Sequence, residues 1–505
     1  MRKNVILSDS EESCYCIMDK GNPNGYNSRW KTNCQLETHS EPGLDLRTTK
    51  NPRCERLVWT VPQVNQSTVK NVSPCEGHNR NTVNLVRKEH AGHPGKESQM
   101  ATYIGIDWSE EKHDVVFLNE AGAIMGQLTM PHSAVGLKEL EKTRVRLGVS
   151  RDECLVGLET AHNLIVDFLW EQGYRQVYVI PPSVIKGCRG RYGNSGAKDD
   201  QRDGRLIADT LRTDRLRLQM WQPDSVRTRQ IRAQVNLIDY LTRQQVRQGN
   251  RLRAVLLRYY PAALTVFGSL SARITLHFLS RYPTPQAAAG LSWAEFETFA
   301  RQHRYPQPKR LVACFARLQQ PQPKASAETI RVYQEQTPLL SAMLLQVVEA
   351  KQQSLKKLTT LFEQHPDHFI FASLPGAGQF LGPALLSKFG DDRHRFPTAS
   401  GLQALAGTCP VTDRSGKRKT VKFRVACDHQ FRHFVRQWSH ASLARSVWAN
   451  AYWQQVRPRC DSDSHAYRCL GNRWLAIAWH LWKTRQAYNE TYHLQQRALR
   501  SKPKP

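Results

Sequence analysis

Three apolar runs of strand length follow one another with no helical pattern between them. They are "TYIGID" at 102–107, "HDVVFLN" at 113–119 and "AIMGQLTM" at 123–130. "EAG" joins the second to the third, a short Gly-containing hairpin connection. Strands that turn straight back on themselves pair antiparallel. The pattern then alternates. "SAVGLKELEKTRVRLG" has helical spacing, and "ECLVGLE" (153–159) reads as a fourth strand. "NLIVDFLWEQG" is an amphipathic helix with a glycine stop, and "QVYVIPP" (176–182) is a fifth strand ended by prolines. A helix begins near Asp199, after the Gly- and Arg-rich loop "KGCRGRYGNSGAK". A meander followed by strand–helix alternation predicts a mixed sheet flanked by helices, an α/β domain over residues 100–222.

Residues 225–260 predict one long helix with a stripe of Ile231, Val235, Ile238 and Leu241 and Arg on several faces. A second long helix is expected over 326–363, carrying Leu344, Val348, Leu355, Leu358 and Phe362. Separated by a Pro- and Arg-containing insert, the two suggest an antiparallel or intermolecular coiled coil, or an ordinary helical hairpin, over 223–365. Residues 366–492 read as mostly helical. "FASLPGAGQFLGPALLSKFGD" is a helix, a glycine turn and a helix. Trp438, Trp448, Trp453, Trp474, Trp479 and Trp482 fall at helical spacings that favour core packing over base stacking. Residues 493–505 form a basic tail.

Residues 1–99 are rich in Asn, Ser, Thr and Gly and lack sustained periodicity. They predict a disordered extension, or sequence upstream of a natural start at Met100. Five of the twelve Cys fall there, so a metal-binding extension is a lesser alternative. No C-x-x-C pair occurs, and free thiols in a reducing compartment are expected. No apolar run approaches the ~18 residues of a membrane span, and the N-terminus lacks a signal-type apolar core, so the expectation is a cytoplasmic protein without membrane contact. The net charge is +28, and +25 of it lies after residue 99. Such a surplus calls for a polyanionic partner, nucleic acid above all, held through phosphates.

Against that charge, "AKDDQRDGRLIAD" (197–209) places Asp199, Asp200, Asp203 and Asp209 close together. Asp200 and Asp203 are three apart and share a helix face. Asp107 closes the first strand and Glu159 the fourth, and adjacent parallel strands bring their carboxyl ends to one edge. Four carboxylates gathered there repel one another unless cations offset them. Mg²⁺ accepts carboxylate oxygens while keeping positions for phosphate, and a pair of such ions activates attacking and leaving oxygens. Asp199 and Asp209 read as caps or solvated charges.

Two further motifs bear on phosphate chemistry. Pro375, Gly376 and Gly378 form a tight turn whose amides can approach a phosphate, or a helix–helix turn touching no ligand. "DRSGKRK" sets Ser415 and Gly416 beside Lys417, Arg418 and Lys419, a setting for attack on a phosphodiester, though chemistry alone favours a surface turn. Lys186, Arg189 and Arg191 of the loop, with the Arg of helix 225–260, are candidates for nucleic-acid backbone contacts. Cys427, His429 and His433 lack a fourth metal ligand.

"YIGIDWSEEKHDVVFLNEAG", "GLETAHN", "AKDDQRDGRLIAD" and "LPGAGQFLGPALLSKFGD" together resemble the transposases of the IS110 family of bacterial insertion sequences and the related Piv-type DNA invertases. The third departs from the family's K-T-D-x-x-D-A motif at Asp199 and Gly204, outside the two acids. The resemblance covers roughly residues 101–490. It implies an RNase-H-like, RuvC-type domain with a DEDD set of Asp107, Glu159, Asp200 and Asp203 binding Mg²⁺, with Mn²⁺ as a substitute. It also implies Ser415 as a nucleophile forming a transient phosphoserine link to DNA. A structured guide RNA and dimers pairing into a tetramer on two duplexes belong to the same implication. A site-specific invertase, a RuvC-like hydrolytic nuclease and an inactive nucleic-acid-binding relic stand as alternatives.

Overall fold

The computed structural model describes residues 101–160, 164–192, 200–321, 323–416 and 418–501. The readings of residues 1–99, of Asp199 and of Lys417 lie outside these. Five strands form one sheet: β1 (Thr102–Trp108), β2 (Lys112–Leu118), β3 (Ile124–Pro131), β4 (Cys154–Leu158) and β5 (Gln176–Val179). Their order is β3-β2-β1-β4-β5. β2 is antiparallel to both β1 and β3, while β4 is parallel to β1 and β5 to β4. The mixed sheet follows from the connections. Short turns force the meander, and the helices α1 (Ala134–Arg146) and α2 (Leu164–Glu171) carry the chain back for parallel strands.

Both faces of the sheet are covered, as the near-continuous apolar central strands require. Ile104, Ile106, Val115, Phe117, Val156 and Leu158 pack on one face against Leu137 and Leu140 of α1 and Ile165 and Leu169 of α2. Tyr103, Val116, Leu118, Leu155 and Tyr178 pack on the other against α3 (Pro182–Cys188) and α4 (Asp200–Asp214). The stretch read as a loop from Lys186 is therefore helical through Cys188, and a 3-10 turn follows over Arg189–Tyr192. Pro182 sits in its first turn, where a missing N–H costs nothing, and that start outweighed the glycines after it.

α5 (Val226–Tyr259) is one unbroken helix. Beyond it α6 (Arg273–Arg281), α7 (Pro285–Ala289), α8 (Trp293–Gln302), α9 (Leu311–Leu318) and α10 (Ala327–Gln334) form the insert, and α11 (Gln336–Glu363) returns. The second long helix thus divides at Glu335. α5 and α11 run antiparallel within one chain. Thr228 at the start of α5 bonds His365 beyond the end of α11, Lys351 donates to Gln245 midway, and Tyr259 at the end of α5 meets Thr337 at the start of α11. The pair joins two cores. Leu252, Leu256, Leu344 and Val348 pack with the insert. Ile231, Val235, Leu358 and Phe362 pack with the C-terminal helices.

Those helices are α12 (His368–Ala372), α13 (Gly378–Phe389), α14 (Ala399–Leu405), α15 (His429–Ser442), α16 (Val447–Val456), α17 (Asp463–Thr484) and α18 (Glu490–Ser501). Trp438, Trp448, Trp474 and Trp482 are buried among them, which is the packing role their spacing suggested. α18 extends to Ser501, so the first part of the expected tail is helical. Between α14 and α15 a two-stranded ribbon, β6 (Val411–Ser415) and β7 (Arg418–Lys422), stands where the sequence showed no strand pattern. Among the described residues no helix is long and apolar enough to cross a membrane.

Candidate active site

The register of β1 and β4 pairs Ile106 with Leu158 as the last matched residues. Asp107 and Glu159 are the next residues on each strand, so they stand side by side at the carboxyl edge. Alternation assigns them a face. Tyr103 and Gly105 share it with Asp107, and it is the face that α4 covers.

Two glycines set how closely α4 approaches. A Cβ on Gly105 would lie 2.1 Å from the Gly204 carbonyl oxygen and 2.4 Å from the Ala208 nitrogen. A Cβ on Gly157, beside Gly105 on β4, would lie 2.9 Å from Ile207. At these two positions the helix therefore lies directly on strand backbone, between flanking side chains such as Tyr103 and Leu155. That seat carries Asp203, next to Gly204, to the face of Asp107 and Glu159. Asp203 is 8% exposed and accepts from Arg189 Nη2 at 2.9 Å. Arg189, expected on nucleic acid, thus holds one edge of this carboxylate. Asp200 opens α4 one helical turn earlier, and its side chain lies outside the described residues, as does that of Arg191. Lys186 is exposed on α3. Asp209 corrects the reading of a cap or solvated charge: it is buried and ion-paired with Arg212 at 2.6 Å.

Sequence reasoning missed one acid. Asp114 stands directly opposite Asp107 in the β1–β2 register, on the same face, and is 4% exposed. Thr129 of β3 donates to its Oδ1, and Lys112 Nζ lies 3.9 Å from Oδ2. Directly opposed side chains have Cβ atoms about 4.5–5.5 Å apart. The available signal was a charged residue inside an otherwise buried strand, but only the register reveals its neighbour. Its chain neighbour His113 is fully buried on the opposite face, 2.8 Å from His132 across its Nε2. Burial, then the His132 charge, lowers the pKa of His113 against the raising influence of Asp114.

The second predicted site lies on the ribbon. Ser415 ends β6, Gly416 turns with φ +56°, and Arg418 starts β7. Ser415, Arg418 and Lys419 are all exposed. Beyond the ribbon Phe423 lies under the guanidinium groups of Arg432 and Arg468, at 4.5 and 4.7 Å. Arg424 donates to the Cys409 carbonyl. These described contacts tie the ribbon to the C-terminal helices, and none of them is with the five-stranded sheet. Ser439, Ser442 and Ser446 are buried, and Ser442 Oγ accepts from Trp474 Nε1 at 2.9 Å, a structural role.

The glycine turn divides. Gly376 has φ +76°, and a Cβ there would lie 2.6 Å from the backbone of Ala441 and Ser442. The Pro375 carbonyl accepts from Trp438 Nε1 at 3.0 Å. Close packing on α15 accounts for Gly376. Gly378 has φ +54° and faces open space at the start of α13.

Acids converging on a mixed sheet and a separate helical region with an exposed serine ribbon coincide with two family matches, both of transposases. The model described as Transposase (DEDD_Tnp_IS110) matches residues 104–261, and that described as Transposase IS116/IS110/IS902 family matches 369–454. A transposase of the IS117 mini-circle of Streptomyces coelicolor is 31% identical over 408 residues, 78% of this chain and 97% of the relative. The insertion element IS116 protein of Streptomyces clavuligerus is 24% identical over 391 residues, 76% of this chain and 96% of the relative. The insertion element IS900 protein of Mycobacterium paratuberculosis is 24% identical over 341 residues, 65% and 81% respectively. The chain belongs to the IS110 family of transposases, whose activity is DNA transposition.

Proposed function

We propose that the chain cuts and rejoins the DNA strands of an insertion sequence, using an acidic metal site and a serine nucleophile. One observation carries the reading. Asp107 and Glu159 stand in register at the carboxyl edge, and α4, seated on Gly105, brings Asp203 to their face. The strand order with an antiparallel meander beside parallel strands supports an RNase-H-like domain over 100–222, joined by the helices of 223–365 to a serine domain over 366–492.

An all-carboxylate donor set fits Mg²⁺, or Mn²⁺, with Asp107, Glu159, Asp200 and Asp203 as the holders. When bound, such ions supply charge neutralisation at the attacked phosphate. Asp107 and Glu159 hold their places through strand register, and Asp203 through the seat of its helix and the Arg189 contact. Asp114 acts on the site by positioning, since Thr129 fixes its carboxylate beside Asp107.

Ser415 Oγ bonds to phosphorus, the bond from phosphorus to the leaving nucleotide oxygen breaks, and that oxygen takes up a proton. The serine proton leaves to solvent. Lys417, Arg418 and Lys419 offset the charge that develops on the phosphoryl oxygens. Because the ribbon's described contacts run to the helical region, the two sites meet by closure or by assembly of two chains. A homodimer pairing into a tetramer on DNA fits that need. Exposed Arg247, Arg251 and Arg253 of α5, with Lys186, Arg191 and the open side of Gly378, are backbone contacts for DNA or for a structured guide RNA, which shape and phosphate suffice to hold.

Incubation with element DNA, its adjoining RNA and Mg²⁺, followed by denaturation, tests the reading. DNA covalently linked to wild type and absent from Ser415→Ala is expected. A Ser415→Ala chain that still recombines overturns the serine role, and cleavage without an adduct favours hydrolysis.

A further inference from the structure

Three metal-ligating side chains converge far from the acidic edge, in "CDSDSHAYRC" (460–469). Cys460 follows the 3-10 turn Arg457–Arg459, and its carbonyl accepts from Arg457 Nη1 at 3.1 Å. His465 and Cys469 lie four apart on α17 and so share a face. The ligand atoms of Cys460, His465 and Cys469 all lie within 4.8 Å of one another, and among the described residues they are the His/Cys/Asp/Glu group so drawn together. All three are half-buried. The exposed Asp461 carboxylate lies 3.6 Å from His465 Nδ1. The trio Cys427, His429 and His433 is not drawn together in this way.

Two thiols and an imidazole suit zinc. Bonds of about 2.3 Å to sulfur and about 2.0–2.1 Å to nitrogen, arranged tetrahedrally, separate the ligand atoms by about 3.5–3.8 Å. From separations within 4.8 Å, each pair of ligand atoms needs to close by at most about 1.0–1.3 Å to reach that. Its two sources are a short segment after a 3-10 turn and one helix face, so only side-chain rotation and a small loop shift are required.

We propose that Cys460, His465 and Cys469 bind one Zn²⁺, with the Asp461 carboxylate or water in the fourth position. Binding converts both thiols to thiolates and releases two protons to solvent. Zn²⁺ with two thiolates is neutral, so it adds no charge among Arg457, Arg459, Arg468 and Arg473. The ion would clip the segment before α17 to the helix's first turns. Arg468, adjacent to Cys469, lies over Phe423 at the foot of the Ser415 ribbon, so the clip fixes one footing of that ribbon. The assignment stands apart from the proposed reaction.

The full chain, kept reduced and stripped with chelator, is titrated with Co²⁺. Because seven described cysteines and five in residues 1–99 are present, the reading is a difference between chains. Wild type is expected to take up one equivalent more than Cys460→Ser/Cys469→Ser, with thiolate-to-cobalt charge transfer and tetrahedral visible bands that Zn²⁺ displaces. His465→Gln keeps the charge transfer and weakens binding at least about tenfold. Equal uptake by wild type and the double variant overturns the proposal. So does a Cys460–Cys469 disulfide that forms in preference to the zinc complex when equimolar Zn²⁺ is present. If the double variant does not fold, His465→Gln with wild-type circular dichroism carries the comparison, and unchanged affinity there overturns it.

Discussion

The acidic edge and the serine ribbon are built in opposite ways. Asp107, Glu159 and Asp203 come from three separate segments. Their positions are over-determined by strand register and by a helix lying on glycine backbone. Ser415 sits at the end of a local two-stranded ribbon whose residues face solvent nearly throughout. A carboxylate cluster needs fixed convergence, because mutual repulsion would scatter mobile acids. A nucleophile that must reach a duplex needs access instead. Under the proposed reaction, the core would carry the rigid part of the chemistry and the ribbon the reaching part.

The contrast breaks most visibly at Gly105. Gly105→Ala puts a methyl group into the backbone of α4 and should cost more than the ~1–3 kcal/mol of ordinary overpacking, with loss of folded domain in thermal melts. Gly204→Ala meets the Asp114 carbonyl oxygen at 3.0 Å and Val116 at an ordinary 3.5 Å. A gain in helix propensity of about 1 kcal/mol offsets that contact, so its melt should stay close to wild type. Equal melts for the two alanines would refute the seat. Next in size, Asp107→Asn or Asp203→Asn should lower strand transfer by at least about 10²–10³-fold, the scale of losing an electrostatic stabiliser, with folding kept. Retained activity in both would remove the acidic edge from the reaction.

Acid should weaken the sheet side. The pKa of His113 is lowered, mainly by burial, so the unfolded chain takes up the proton first as pH falls. The stability His113 contributes is full above its unfolded value of about 6.5 and is lost as pH falls from there toward its folded value. His303 and His433, lowered by burial as well, act in the same window. Melting midpoints at pH 7.5, 6.5 and 5.5 should fall in that order, and a flat or rising series contradicts it. Smallest of all, Ser415→Ala should change stability by less than about 0.5 kcal/mol, because the side chain is exposed. A larger drop in its melt would mean that the ribbon is part of the core.

The sheet was legible in the sequence because its strands alternate or run apolar, and α5 because Ile231, Val235 and Ile238 recur at helical spacing. The ribbon was not. Val411–Lys422 carries charges at half of its positions and its described residues bury no face, so neither period appears. Asp114 escaped for a different reason. Its importance lies in standing opposite Asp107, and register is a property of two strands that neither strand states alone. Arg189 read as a phosphate contact because a cation near glycines looks the same whether its partner is a ligand or Asp203. The break at Glu335 went unread because apolar residues continue on both sides of it.

The antiparallel pair of α5 and α11 has a mechanical consequence. At about 1.5 Å per residue, 34 residues span about 50 Å, with one core at each end. A swing of about ten degrees at the base carries the far tip about 9 Å, between two and three base-pair steps of duplex DNA. The strut has the length of a lever arm: small changes of packing at Thr228 and His365 would become displacements on the scale of the nucleic-acid lattice.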